Sequence, residues 1–332
     1  MPSDASFHAE RKTGIGGSDI AAILGMSPWR TPYEVWLEKT GRSDPPTGTL
    51  AMRHGTYVEE FVAREYASTT GRQVERYNAL LRHPDIPLIG HIDRLVIPDG
   101  AKIASHKRVI RTNRGLECKA VNAYSLGRDG EWGEPGTDQV PKQYLLQVAA
   151  YQALTGCELW DLAALFGNNQ FRIYSFRRDP ELEDYILTEV DDWWRHYVEA
   201  DTPPDPQTAA EAKLRWPRHS TGKILQATVD IRDRLHRLAQ IKANIRELED
   251  MEQAIKDALY PALADAEVVT DAGEEIASFR ANKDSQKIDF KKLALDMLAN
   301  LDPNEQTKIL DTYAKSIPGA RVLRLSKSLE IT

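Results

Sequence analysis

The chain has 332 residues, 41% of them hydrophobic and 28% charged, with a net charge of −7. That composition fits one large or two smaller globular domains, and no apolar run approaches the roughly 20 residues of a membrane helix. Two cysteines, Cys118 and Cys157, exclude a disulfide framework, an all-cysteine zinc site and a four-cysteine iron–sulfur cluster. The start of the chain lacks the basic-then-apolar order of a signal peptide, so a reducing cytoplasm is the expected setting. The acidic balance argues against a broad non-specific nucleic-acid surface. It leaves room for a local basic channel, and for an acidic site that attracts phosphate once metal is bound.

From about Ser18 to Thr40 the pattern is helical, broken at Ser27-Pro28. Ser18 can cap the first helix with Asp19 in its opening turn, and Thr31-Pro32 opens the second, which Gly41 ends. A helix is expected from about Gly55 to Thr70, with Val58, Phe61, Val62 and Tyr66 on one stripe. Three strands follow: Ala79–Arg82, Leu88–Ile97 and Gly115–Val121. After a glycine-rich loop, Gly127 to Gly136, a helix is expected from about Asp138 to Thr155. Leu159–Phe166 and Phe171–Phe176 read as strands, and Pro180 to Val198 as a helix. This order describes a mixed α/β sheet with flanking helices.

Thr202-Pro-Pro-Asp-Pro206 is a stiff polar break that closes a first domain at residue 205. Residues 206–265 then form a linker and a long helix, strongly helical from Asp230 to Leu259. Ile231, Leu238, Ile245 and Leu259 share one heptad position and Ile241, Leu248 and Ile255 another, with Arg234 and Glu252 interrupting the seam; a coiled coil and an antiparallel arm both fit. Residues 266–332 are expected to be a small α/β extension: a hairpin turning at Asp271-Ala-Gly273, a helix near Phe290–Leu298 and a last strand near Val322–Leu325.

The chemistry concentrates on Glu117-Cys118-Lys119. On a strand, Glu117 and Lys119 share one face and Cys118 points to the other. Asp93 interrupts the apolar run of a neighbouring strand and must be paired, metal-bound or at a rim, with Arg94 as one structural partner. Gln147 and Tyr151 lie one turn apart on a helix face. Two acids and an amine of this kind can hold divalent metal and activate water against a phosphodiester. Glu59 and Glu60 read either as a solvated helix face or as further carboxylates aimed at metal. Gly16-Gly17-Ser18 reads as a plain helix cap or, with its free N–H groups, as a phosphate cradle.

These motifs together resemble the YqaJ-type viral recombinase nucleases, which belong with phage lambda exonuclease in the PD-(D/E)xK superfamily. The resemblance covers about residues 8–200. It rests on Arg11-Lys-Thr-Gly-Ile-Gly-Gly-Ser18 and the residues through Trp29, on Gly55-Thr-Tyr-Val-Glu59-Glu60, on Gly90-His-Ile-Asp93-Arg94, on Leu116-Glu117-Cys-Lys119, on Trp132-Gly133, and on Val140-Pro-Lys-Gln-Tyr144-Leu-Leu-Gln147-Val-Ala-Ala-Tyr151. It implies a PD-(D/E)xK core and a metal-dependent 5′→3′ exonuclease on linear double-stranded DNA ends, leaving 3′ overhangs for a single-strand annealing protein. It also implies a homo-oligomer, a trimer by analogy, in the host bacterial cytoplasm for a phage-encoded chain.

Carried over, Asp93, Glu117 and the Cys118 carbonyl hold Mg2+ (two ions, with Mn2+ as a substitute), helped by Glu59. Lys119 orients or deprotonates the attacking water, and Gln147 positions the water or the lysine. Arg11 and Ser18 hold the 5′-phosphate. His91, Lys107, Arg108, Arg111, Trp132 and Tyr151 are candidate DNA contacts. The stretch that includes Lys102, Lys107, Arg108, Arg111 and Arg114 reads as a solvated hairpin or as a track for the DNA backbone. Two other readings compete: a RecB-like or CRISPR-adaptation nuclease subunit of a larger complex, and a non-catalytic DNA- or partner-binding module on the nuclease fold.

Overall fold

The computed structural model describes residues 9–43, 50–98, 110–125, 131–299, 301–315, 317, 319–326 and 329. The chain forms two units, residues 1–212 and 213–332.

The first unit is built on a five-stranded mixed sheet. Its strands are β2 (Gln73–Arg76), β5 (Arg94–Ile97), β6 (Arg114–Val121), β7 (Leu159–Phe166) and β8 (Gln170–Arg177), in that order. Only β6 and β7 run parallel; every other neighbouring pair is antiparallel. The parallel pair needs a crossover, which the helix Lys142–Thr155 supplies. A smaller sheet joins β1 (Ile15–Gly16), β4 (Leu88–Gly90) and β3 (Leu81–Arg82).

Helices cover both faces of the main sheet. We number them α1 (Ile20–Ile23), α2 (Pro32–Lys39), α3 (Leu50–Thr70), α4 (Lys142–Thr155) and α5 (Pro180–Trp193). On one face Val62, Ala63 and Tyr66 of α3 pack against Leu116, Cys118, Ala163 and Leu165. On the other, Val148 and Tyr151 of α4 meet Trp160, Leu162, Ala164 and Phe166. The outer side of α4 is covered in turn, as Leu146, Ala149 and Ala150 pack with α1, α2 and α5. The result is a helix buried all round, with Leu146 through Gln152 inaccessible. A strand covered on both faces must read as nearly continuous apolar residues, and β7 does. Its exception, Asp161, is fully buried but accepts hydrogen bonds from Tyr66, Arg114 and Ser175.

Several boundaries differ from expectation. The run Leu88–Ile97 is not one strand: β4 belongs to the small sheet and β5 to the main one, with His91-Ile92-Asp93 crossing between them. Gly90 permits the crossing, because a Cβ there would lie 2.8 Å from Leu154 Cδ1 and 3.0 Å from the Tyr151 ring. Pro141 delays the start of α4, since the residue before a proline is pushed to extended geometry. Ser18 caps no helix; Asp19 accepts instead from Gly16 N at 3.1 Å. Thr31 does cap α2, in a reciprocal pair with Glu34. Helix α3 starts at Leu50, with Gly55 inside it. The polar strand β2 and a π-helical turn at Trp194–Glu199 were not expected. Beyond the proline-rich stretch, α6 (Ala209–Arg215) is tied to this unit by buried Glu211, which accepts from the Thr31 hydroxyl.

The second unit holds α7 (Val229–Leu263), the hairpin β9 (Val268–Asp271) and β10 (Glu274–Ser278), α8 (Phe290–Leu298) and α9 (Pro303–Tyr313). Thr228 caps α7 and Asp302 caps α9 through their side chains. The strand expected near Val322–Leu325 is absent; residues 321–326 are irregular. An apolar run of that length pairs only where a neighbouring strand edge is offered to it.

Candidate active site

Strand alternation aims Glu117 and Lys119 at the α4 face of the sheet, while Cys118 packs among Val62, Tyr66 and Leu165 on the α3 face. Gly115, two residues earlier on the α4 face, has Trp160 where its side chain would be, 2.3 Å from a built Cβ. On α4, Gln147 projects into the pair and bonds in three directions. Its Nε2 donates to Glu117 Oε1 at 2.8 Å and to the Tyr151 hydroxyl at 2.9 Å, while its Oε1 accepts from Lys119 Nζ at 3.0 Å. Lys119 Nζ also lies 2.6 Å from Glu117 Oε1 and 5.5 Å over the Tyr144 ring. Tyr144 was not singled out from the sequence; its place one turn before Gln147 on the same helix was the available signal.

Asp93 arrives from the crossing between the sheets. The β5–β6 ladder ends at the pair Arg94–Leu116. Past that point Asp93 Oδ2 accepts the Cys118 N–H at 2.8 Å, so a side chain replaces a strand partner. Arg94 does not pair with this carboxylate. It donates to the Asp93 backbone oxygen and to Glu59 Oε1, both at 2.7 Å, and to Glu60 Oε2 at 2.9 Å.

The electrostatics leave this pocket short of positive charge. Burial, and next the Glu117 charge, hold the Asp93 carboxyl well above the ordinary carboxylate range. Burial would lower Lys119, but Glu117 and Asp93 outweigh it and hold the amine above its usual value. A lysine free to accept a proton is therefore not what these side chains alone produce; without added cations Lys119 is an ammonium donor. Glu117 is 2% exposed, and its Oε2 is buried with no hydrogen-bond partner. An unsatisfied carboxylate oxygen is costly to bury, and beside a second carboxylate its chemistry fits a hard divalent cation. Among the described residues no group of three or more His, Cys, Asp or Glu is placed to hold a metal. Glu59 is paired to Arg94, though its charge also adds to those that raise Asp93. Two carboxylates still suit magnesium, which commonly keeps water and substrate phosphate in its remaining positions.

A second charged cluster lies beside the first. Asp19, fully buried, is 2.7 Å from Lys39 Nζ, 2.7 Å from Arg30 Nη1 and 3.2 Å from Arg11 Nη2. Glu38 accepts from Arg11 at 3.1 Å and Arg30 at 2.7 Å. Three cations thus face two anions. Burial alone would raise Asp19, but Lys39, Arg11 and Arg30 together bring it down to about 2. Arg11 is accordingly a member of an ionic network rather than a solitary arginine. Ser18, which precedes Asp19 in the chain, is exposed. Arg30, Lys39 and Glu38 were missed in the sequence, where nothing marks such distant residues as neighbours.

The remaining candidates divide. His91 is half-buried, 3.4 Å from Glu10; burial, with a smaller push from Arg11, outweighs Glu10 and disfavours its protonation. Arg111 is exposed ahead of β6. Lys102, Lys107 and Arg108 fall outside the described residues. Tyr151 is not presented to a ligand: it is 6% exposed, packed beneath Gly17 and Gly90, and serves to hold Gln147. Trp132 is also committed, with Tyr144, Phe166 and Tyr174 at ring centroids 5.4, 4.8 and 5.2 Å away. Trp29 is more open, 66% exposed, with its ring centroid 6.3 Å from that of Tyr144. It borders a groove that also touches Trp132 and Tyr144.

Residues 6–158 match the YqaJ-like viral recombinase domain. The Bacillus subtilis (strain 168) protein YqaJ is 32% identical over 266 residues, 78% of this chain and 77% of that protein. The chain belongs to the YqaJ-like viral recombinase family. Protein D345L of African swine fever virus (strain Badajoz 1971 Vero-adapted) is 39% identical over 57 residues, 17% of this chain and 16% of that protein. Among solved structures, the alkaline exonuclease LHK-Exo from Laribacter hongkongensis aligns with 60% of this chain and 94% of its own at 21% identity, with a TM-score of 0.47. The YqaJ-like segment contains Asp93, Glu117, Lys119, Gln147, Tyr151 and the Asp19 network, and ends just before β7. No helix of the described residues is long and apolar enough to cross a membrane.

Proposed function

We propose that this chain is a metal-dependent 5′→3′ exonuclease acting on linear double-stranded DNA ends, leaving 3′ overhangs for strand annealing. The observation that carries the reading is the buried, unpartnered Oε2 of Glu117 in a pocket whose other acid, Asp93, is hard to ionise beside it. Asp93, Glu117 and the Cys118 carbonyl would hold Mg2+, with Glu59 in reach of a second ion once Arg94 is displaced. Mg2+ held by these residues would supply Lewis acidity, making water a better nucleophile and offsetting charge on the phosphodiester. Gln147 keeps Glu117 and Lys119 in register through its two bonded ends. Lys119, held as an ammonium, orients the attacking water or donates to a phosphate oxygen. The surplus cation of the Arg11–Arg30–Lys39 cluster, with the Ser18 hydroxyl, suits a 5′-terminal phosphate. Trp29 offers a ring face to a base of the strand being cut.

The test is incubation with linear duplex carrying a 5′-phosphate, in Mg2+ or EDTA, beside a closed circle. The reading expects magnesium-dependent loss of one strand from its 5′ end and an intact circle. Cutting of the circle would replace exonuclease with endonuclease. Binding without any cleavage would leave a non-catalytic module.

A further inference from the structure

We propose that α7 is a self-pairing helix: it binds α7 of a second copy of this chain, antiparallel, in the one register that sets Arg234 of each copy against Glu252 of the other. The seam already noted is bare along most of its length. Ile241, Ile245, Leu248 and Ile255 are 47%, 48%, 63% and 64% exposed, on a helix that runs 35 residues from Val229 to Leu263. An apolar stripe of this length left in water calls for a covering partner.

The two charged interruptions identify that partner. Arg234 and Glu252 each lie nine residues from Ala243, on opposite sides of it. An antiparallel pair with its two-fold axis beside Ala243 therefore places each arginine in the layer of the other copy's glutamate. Between Ile231 and Ile255 the same axis matches the other layers like with like, while Leu259 falls opposite Ala227, before the helix begins. Ile231 and Ile255 each lie twelve residues from Ala243, Leu238 and Leu248 each five, and Ile241 and Ile245 each two. No aliphatic layer is left facing a charge. A parallel pair or bundle fails this test, because it stacks Arg234 on Arg234 and Glu252 on Glu252 inside the seam. Polar residues at seam positions commonly fix register and orientation at some expense of stability.

The side chains are also poised for it. Arg234 holds Asp230 at 2.9 Å and Glu252 holds Lys256 at 2.6 Å, one turn away on the same helix. Exposed pairs of this kind bind weakly, so pairing of the helices extends them into a line of alternating charge rather than breaking them. The surface is thus complementary to itself, and the proposal does not depend on the nuclease reading.

Charge exchange in the full-length protein tests it. Mass by light scattering and sedimentation is measured for the wild type, for Arg234→Glu, for Glu252→Arg and for the double exchange, with circular dichroism to verify folding. Each single exchange is expected to halve the mass of the particle and weaken self-association at least 10-fold; the double exchange is expected to restore both. Cys118 and Cys157 are buried, so spin labels can be directed to Gln240→Cys or Gln253→Cys. The antiparallel register separates the two labels by about 9 Å along the axis in the first case and about 30 Å in the second. Equal short distances at both sites, masses that no exchange alters, or a wild type that is already monomeric in this helix would overturn the proposal; the last outcome would assign the seam to a different protein.

Discussion

Two buried charge clusters sit in the same unit, each setting an aspartate and a glutamate against basic side chains, with opposite imbalances. Around Asp19 three cations surround two acids, every carboxylate oxygen is engaged, and the acid is held at about 2. Around Glu117 two acids share one ammonium, one carboxylate oxygen has no partner, and Asp93 is pushed up instead of down. Surplus positive charge at one site and surplus negative charge at the other make complementary demands: the first has capacity for an anion, the second for a cation. A phosphodiester substrate with bound metal answers both.

Substitutions can break this contrast. Replacing the ammonium has the largest expected effect: Lys119→Ala should reduce cleavage at least about 1,000-fold, comparable to loss of a preorganised charge donor, while DNA affinity measured by filter binding stays within a few-fold. Cleavage at the normal rate would refute the role given to Lys119. Asp19→Ala should then cost about 3–5 kcal/mol of stability in urea denaturation, because it removes the nearest counter-charge of buried Lys39 and leaves only Glu38 at 3.7 Å; a loss below 1 kcal/mol would mean that water reaches the cluster. Saturating Mg2+ at about 100 times its Kd should stabilise the protein by about 2.7 kcal/mol, an effect that Glu117→Gln removes.

Acid should expose the Asp19 network by itself. Its carboxyl lies below an ordinary value near 3.8, at about 2, so its contribution is complete above pH 4 and disappears as pH falls through 2. About 2 kcal/mol of stability follows that window, and Asp19→Asn should flatten the profile there. The smallest effect is on end preference. Arg11→Ala should lower the ratio of rates on 5′-phosphorylated and unphosphorylated ends about 10-fold, with equal loss on both ends counting against a phosphate role.

Much of the site was legible because strand and helix periodicities are strict. Glu117 and Lys119 had to share a face, Cys118 had to oppose them, and Gln147 and Tyr151 had to project together. Asp93 could be flagged as a charge in an apolar run. Its delivery could not, because an apolar run shows no sign of changing sheets, and the Gly90 crossing is visible only against Tyr151 and Leu154. Trp132 and Tyr151 illustrate a second limit: an aromatic residue in a motif gives no indication of whether its ring is free or spent in packing. The Asp19 network shows a third, since Arg11, Arg30 and Lys39 become neighbours only through the fold.

The missing side chain of Gly17 joins these clusters mechanically. A Cβ there would fall 2.8 Å from the Tyr151 ring, and that ring carries the hydroxyl on which Gln147 rests. One aromatic thickness therefore separates the Gly17 loop from the acids and amine of the Glu117 pocket. On the proposed reading the tyrosine acts as a gauge block: it sets how far from the end the chain is cut, and a bulkier residue 17 would reset that distance without touching the chemistry.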